Sequence, residues 1–317
     1  MLEANPRCDT VLIMILFLLL LLAQQINQQN TPPHPPRQPS IAGIKYGPYE
    51  MNDLDLYLAQ SDKPSPLVLY YFPGAFVVGN KNTVSPYLLD ACAKAGITVA
   101  SVNYRYSTMA PYPAPFHDAA RALQFLRLHA GEYNIDPRAV ASTGASAGAD
   151  ISLWLGFHKD LADPQSSDPV LRQSTRISAV GAASAQTTLD PRVLLKLVGL
   201  EGRNNPAIHQ LYGIKREEMD DPKYFPLYED ASAAALLNKH DAVPVFLYYT
   251  GTDQPPTPDT PPGERMHHRL FGFYLKEQMD KLRVDCVMHV KEDYPSGNPG
   301  PQWNQAMVQF FVQRFPK

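Results

Sequence analysis

The residues best suited to do chemistry lie in ASTGASAGADISLWL, residues 141–155. Gly144-Ala145-Ser146-Ala147-Gly148 is a G-x-S-x-G pattern. Set between a strand and a helix, such a turn strains the serine backbone and presents its hydroxyl as a nucleophile. Glycine is needed at 144 and 148 because bulk there would collide with strand and helix backbone. Alone the pattern is weak, since a glycine-rich turn with an idle serine has the same letters. A serine hydroxyl also needs a base within hydrogen-bond reach. The chain has nine histidines from which to draw one.

The flanks of Ser146 are of the required kind. AVASTG (139–144) reads as a strand and AGADISLWLGFH (147–158) as a helix. Upstream, IAGIKYG and LDLYLA read as short opening strands, and PLVLYYF (66–72) as a buried one. SPYLLDACAKAG is a helix stopping at Gly96, and ITVASVNY is a strand. PAPFHDAARALQFLRLHAGEYN is an amphipathic helix with proline at its start. Downstream come the strand ISAVGAASA, an irregular section over 187–240, and the buried strand VPVFLYYT (243–250). ERMHHRLFGFYLKEQMDKL then reads as one helix, VDCVMHV as a strand and QWNQAMVQFFVQRF as a closing helix. Strand and helix alternate from residue 41 to 317, which predicts one α/β domain. Its central sheet is mostly parallel, with helices on both faces.

Three segments give the chain a family likeness. They are LVLYYFPGAFVVGNK, SVNYRYSTMAPYPAPFHDAARALQFL and NIDPRAVASTGASAG. In them the chain resembles the α/β-hydrolase fold family, in the carboxylesterase and lipase branch related to hormone-sensitive lipase. The likeness runs in order over residues 41–315. It implies Ser146 as nucleophile, the Ala147 N–H as one oxyanion donor, and Gly74 and Ala75 as the others. The family's H-G-G-G-W loop becomes Phe72-Pro73-Gly74-Ala75-Phe76 here. Pro73 lacks an N–H, and Ala75 restricts the close approach that glycine permits. The resemblance also implies an acid after VPVFLYYT, where Asp253 is the candidate and Asp259 the alternative.

The histidine departs from the family pattern. It should follow the last strand, yet KEDYPSGNPG contains none. His289 comes too early, within the strand. His34 lies in a tether, His117, His129 and His158 on predicted helices, and His209 and His240 in or beside the irregular section. His267 and His268 remain, near the start of the helix after the acid strand. Helices that follow a strand in this fold begin on the active-site face. Either histidine could approach Ser146 from there, because a triad is recognised by geometry and not by sequence order.

Two functions compete on this reading. One is a serine hydrolase of carboxylic esters with a rearranged or degenerate triad. The other is a catalytically impaired relative that binds a ligand or partner in the same pocket. The net charge of −3 and the absence of a basic stripe argue against nucleic acid. No metal or organic cofactor is expected. Cys92 and Cys286 read as buried small hydrophobes, and Cys8 precedes an apolar run. That run, VLIMILFLLLLLA (11–23), reads as a signal peptide within residues 1–23, or as an uncleaved membrane anchor. A polar, proline-rich tether follows to residue 40. The expected location is therefore outside the cytoplasm.

Overall fold

The computed structural model describes residues 37–294 and 298–316. The expected leader, Cys8, His34 and most of the tether lie outside the described residues. The sheet has eight strands: β1 Ile41–Lys45, β2 Asp53–Tyr57, β3 Ser65–Tyr71, β4 Thr98–Val102, β5 Ile135–Ala145, β6 Ala179–Ala183, β7 Val245–Tyr249 and β8 Cys286–Val290. Their order is β1-β2-β4-β3-β5-β6-β7-β8. β2 runs antiparallel to both β1 and β4, and the other pairings are parallel. β4, β6 and β7 are buried at every residue, as expected for strands covered on both faces.

The helices are α1 Pro86–Lys94, α2 Ala114–Leu128, α3 Ala147–Phe157, α4 Pro191–Arg203, α5 Pro206–Tyr212, α6 Phe225–Ala231, α7 Ala233–Leu236, α8 Pro262–Met266, α9 Leu270–Leu282 and α10 Gly300–Val312. α3 leaves the nucleophile turn and is buried at all its residues. A helix with no solvent face belongs in the core, and it fixes Ser146 from behind. The irregular section carries α4 to α7, so it is more helical than its turn residues suggested. Asp190 and Asn205 cap the first two of these helices by accepting the N–H of Arg192 and Ala207. No described helix is long and apolar enough to cross a membrane.

Cys92 and Cys286 are both buried and free. Burial pushes the Cys286 thiol up to about 12, so it stays protonated and inert. His289 stacks on Phe246 with ring centroids 4.9 Å apart, a packing role within β8.

Candidate active site

Ser146 stands between β5 and α3, at the N-cap of α3. Its φ of 50° and ψ of −125° form a backbone conformation that L side chains rarely adopt. The neighbours hold it there. Its N–H donates to the Ala183 carbonyl at 2.9 Å, and its carbonyl accepts from Ala149 at 2.8 Å and Asp150 at 3.0 Å. The flanking glycines are required by contact. A β-carbon on Gly148 would fall inside the Tyr71 carbonyl, and one on Gly144 would lie 2.6 Å from the same oxygen.

The loop between β3 and α1 carries the other donors that the resemblance implies. Gly74, Ala75 and Phe76 have φ of 135°, 53° and 63°. Val77 and Val78 both donate to the Gly74 carbonyl, at 2.9 and 3.1 Å. Among the described residues, the N–H groups of Gly74, Ala75 and Ala147 have no protein acceptor. Unpaired backbone donors of this kind suit an oxyanion. The far end of the loop is anchored by Lys81, whose ammonium pairs with Asp53 and, at 2.7 Å, with Asp55. Asn103 accepts the Lys81 N–H at 2.7 Å and donates to Asp53 at 2.9 Å.

His267 Nε2 stands 2.9 Å from Ser146 Oγ. The single helix expected over 264–282 is two helices, α8 and α9, and His267-His268-Arg269 form the break. His268 helps to make it. Its Nδ1 accepts the Leu270 N–H at 3.1 Å, which caps α9, and its Nε2 donates to the Gln254 carbonyl at 2.7 Å. Both nitrogens of His268 are spent, leaving none for Ser146. Of the two alternatives only His267 reaches the serine.

Asp253 does not follow the expectation. It is exposed, and among the described residues its carboxylate accepts only from the Gln254 side chain, at 3.1 Å. Asp259 is also exposed and makes no contact with either histidine. The reason lies in the loop, which turns carbonyls inward in place of carboxylates. The Gln254 carbonyl meets His268, and those of Thr257, Pro258 and Thr260 meet Arg265. The Gly263 carbonyl accepts the His267 main-chain N–H at 3.2 Å. Burial depresses the His267 pKa below 6.5, and the nearby Gly263 backbone opposes this only in part. Among the described residues no carboxylate acts on this imidazole.

Two residues that sequence reasoning missed tie the serine side to the histidine side. Gln186, just past β6, donates its side-chain amide to the Met266 carbonyl and its N–H to Asp150 Oδ1 at 2.8 Å. Asp150 lies one helical turn beyond Ser146, a spacing that would have flagged it. Among the described residues its Oδ2 has no partner, and burial drives its pKa well above the ordinary carboxylate value. An acid with a raised folded pKa loses stability as pH climbs from its unfolded value through its folded one. Asp150→Asn keeps the acceptor for Gln186 and removes that loss. The variant should melt at a higher temperature than the parent at pH 8 and at nearly the same temperature at pH 4. Calorimetry at both pH values checks this.

A family model, BD-FAE, matches residues 54–252, well over half of the chain. The chain belongs to the BD-FAE family. The BD-FAE match takes in Gly74, Ala75, Ser146 and Ala147 and stops short of His267. Two relatives from Mycobacterium tuberculosis carry the likeness to the branch related to hormone-sensitive lipase. The probable carboxylic ester hydrolase LipM is 30% identical over 140 residues, 43% of this chain and 32% of that protein. The carboxylesterase NlhH is 30% identical over 130 residues, 41% of each. The chain thus spans about a third of the length of LipM. Among solved structures, a truncated carbohydrate esterase from gut microbiota superposes with a TM-score of 0.67 at 21% identity. It covers 90% of this chain and all of that one. At that identity it carries the α/β-hydrolase fold alone. This BD-FAE chain has the eight-stranded sheet of that fold, with its base candidate after β7 and not after β8.

Proposed function

We propose that this protein hydrolyses carboxylic esters of small molecules, with Ser146 as nucleophile and His267 as general base. The 2.9 Å contact between His267 Nε2 and Ser146 Oγ carries the reading. Burial keeps the imidazole neutral, and with its proton on Nδ1 the Nε2 that faces Ser146 Oγ is free to accept. Ser146 attacks the ester carbonyl and its proton passes to His267. The negative charge on the former carbonyl oxygen is met by the N–H groups of Ala147, Gly74 and Ala75. His267 then protonates the departing alcohol, and water releases the acid by the same steps in reverse roles.

Among the described residues no carboxylate stabilises the imidazolium that forms. Turnover is therefore expected below that of a complete triad. The test is covalent labelling. A fluorophosphonate probe should label the wild-type protein at Ser146, Ser146→Ala should abolish the label, and short-chain p-nitrophenyl esters should be turned over. A well-folded protein that neither labels nor turns over would replace this reading with the impaired ligand-binding one. The exposed position of Asp253 favours that second reading.

A further inference from the structure

We infer that Arg265 is a positioning residue that holds His267 on Ser146 by gathering the carbonyls of the loop between β7 and α8. The inference rests on the reading of His267 as the base. Arg265 precedes that base by two residues and is only 3% exposed. Its Nη2 donates to the carbonyls of Thr257 at 2.6 Å, Pro258 at 3.2 Å and Thr260 at 3.2 Å. Its Nη1 donates to the Val198 carbonyl of α4 at 3.0 Å. One guanidinium therefore draws four carbonyls from two elements to one point. The planar fork of arginine allows this, and the compact ammonium of lysine does not.

The charge does not account for its burial. The nearest carboxylate, Glu201, is 3.6 Å away and about half exposed, which makes a weak pair. A desolvated cation with so little compensation is costly. What it gains is geometry. The loop ends in α8, a helix of five residues, too short to hold its own shape. Gly263, whose carbonyl accepts the His267 main-chain N–H, lies in that helix. A cavity of about 220 Å³ borders it, lined by Glu201, Asn205, Pro258, Asp259, Thr260 and Met266 among others. Without the guanidinium the loop has room to sag into this cavity, carrying Gly263 and His267 with it. Arginine with backbone carbonyls thus takes the orienting part that a carboxylate plays in a triad.

Arg265→Met and Arg265→Lys test this with a p-nitrophenyl ester across pH. Methionine keeps the volume and removes the charge. The carbonyls it abandons at Thr257 and Pro258 belong to exposed residues and can turn to water. Both variants should keep KM within a factor of two and lose kcat by about tenfold to a hundredfold, because a misplaced base is costly. The acid limb of kcat/KM should move to higher pH, toward 6.5, as water reaches the imidazole. A role in folding alone would leave that limb in place. Guanidinium added to Arg265→Ala, which leaves the space open, should restore part of kcat. Should the methionine variant not fold, the lysine variant decides by the same two readouts. Folded variants with the parent kcat and an unmoved limb overturn the inference. In that case wild-type labelling at Ser146 still stands, whereas an unlabelled, inactive wild type removes the inference together with the proposed function.

Discussion

Replacing His267 by asparagine lowers kcat/KM for a p-nitrophenyl ester by about four orders of magnitude or more. The side chain keeps its approximate shape and loses the nitrogen that faces Ser146 Oγ at 2.9 Å. Two neighbours serve as internal controls. Asp253→Asn changes the rate less than about twofold, because its carboxylate touches only Gln254. In a triad the same change at the acid costs about 10⁴. His268→Asn weakens the start of α9 and lowers stability by about 1 kcal/mol, with a far smaller effect on rate than His267→Asn. The pH dependence follows from the burial of His267. The base works only when unprotonated, and its pKa lies below 6.5. Wild-type kcat/KM should therefore hold as pH falls through 6.5 and decline only further down. A His267→Asn variant within tenfold of wild type would remove this histidine from the mechanism.

Gly148→Ala should lower stability by about 3 kcal/mol or more. The new β-carbon would fall inside the Tyr71 carbonyl and lie 2.9 Å from that of Phe72. Neither side can yield cheaply. Tyr71 is paired with Val102 of β4 on one side and Gly144 of β5 on the other, in the middle of the sheet. Gly148 opens a helix buried at every residue. A loss of that size shifts the melting temperature by about 6–12 °C in a domain of this class. Gly131→Ala is the matched control, since a β-carbon there meets nothing within 4 Å. Equal melting of the two variants would show that the nucleophile turn relaxes more freely than its contacts indicate.

The elbow was legible in the sequence because its constraints are local. Gly144 and Gly148 announce a close approach, and the apolar runs on either side announce the strand and the buried helix. PLVLYYF and VPVFLYYT were legible for the same reason, being short, continuous and flanked by turn residues. The break at His267 was not. Residues 264–282 have apolar residues at helical spacing throughout, and nothing in their letters shows that the His268 side chain will take the Leu270 N–H. The orienting group was hidden more deeply. The Gly263 carbonyl holds the His267 main chain, and a backbone atom carries no residue type to read. Aspartate was sought after β7 because side-chain acids are visible in a sequence. The visible one, Asp253, faces solvent, while three carbonyls of the same loop point inward to Arg265.

That loop contains Pro255, Pro256, Pro258, Pro261 and Pro262 within eight residues. Each ring fixes one φ angle before the chain folds, so the unfolded loop has fewer conformations to give up. A flexible loop would surrender about 1–2 kcal/mol of backbone entropy per residue to hold an imidazole in place. Here much of that restriction is written into the covalent structure. The base arrives on a segment with fewer conformations to give up, so part of the ordering needed to bring Ser146 and His267 together is lowered in cost, and the contacts of Arg265 fix the rest.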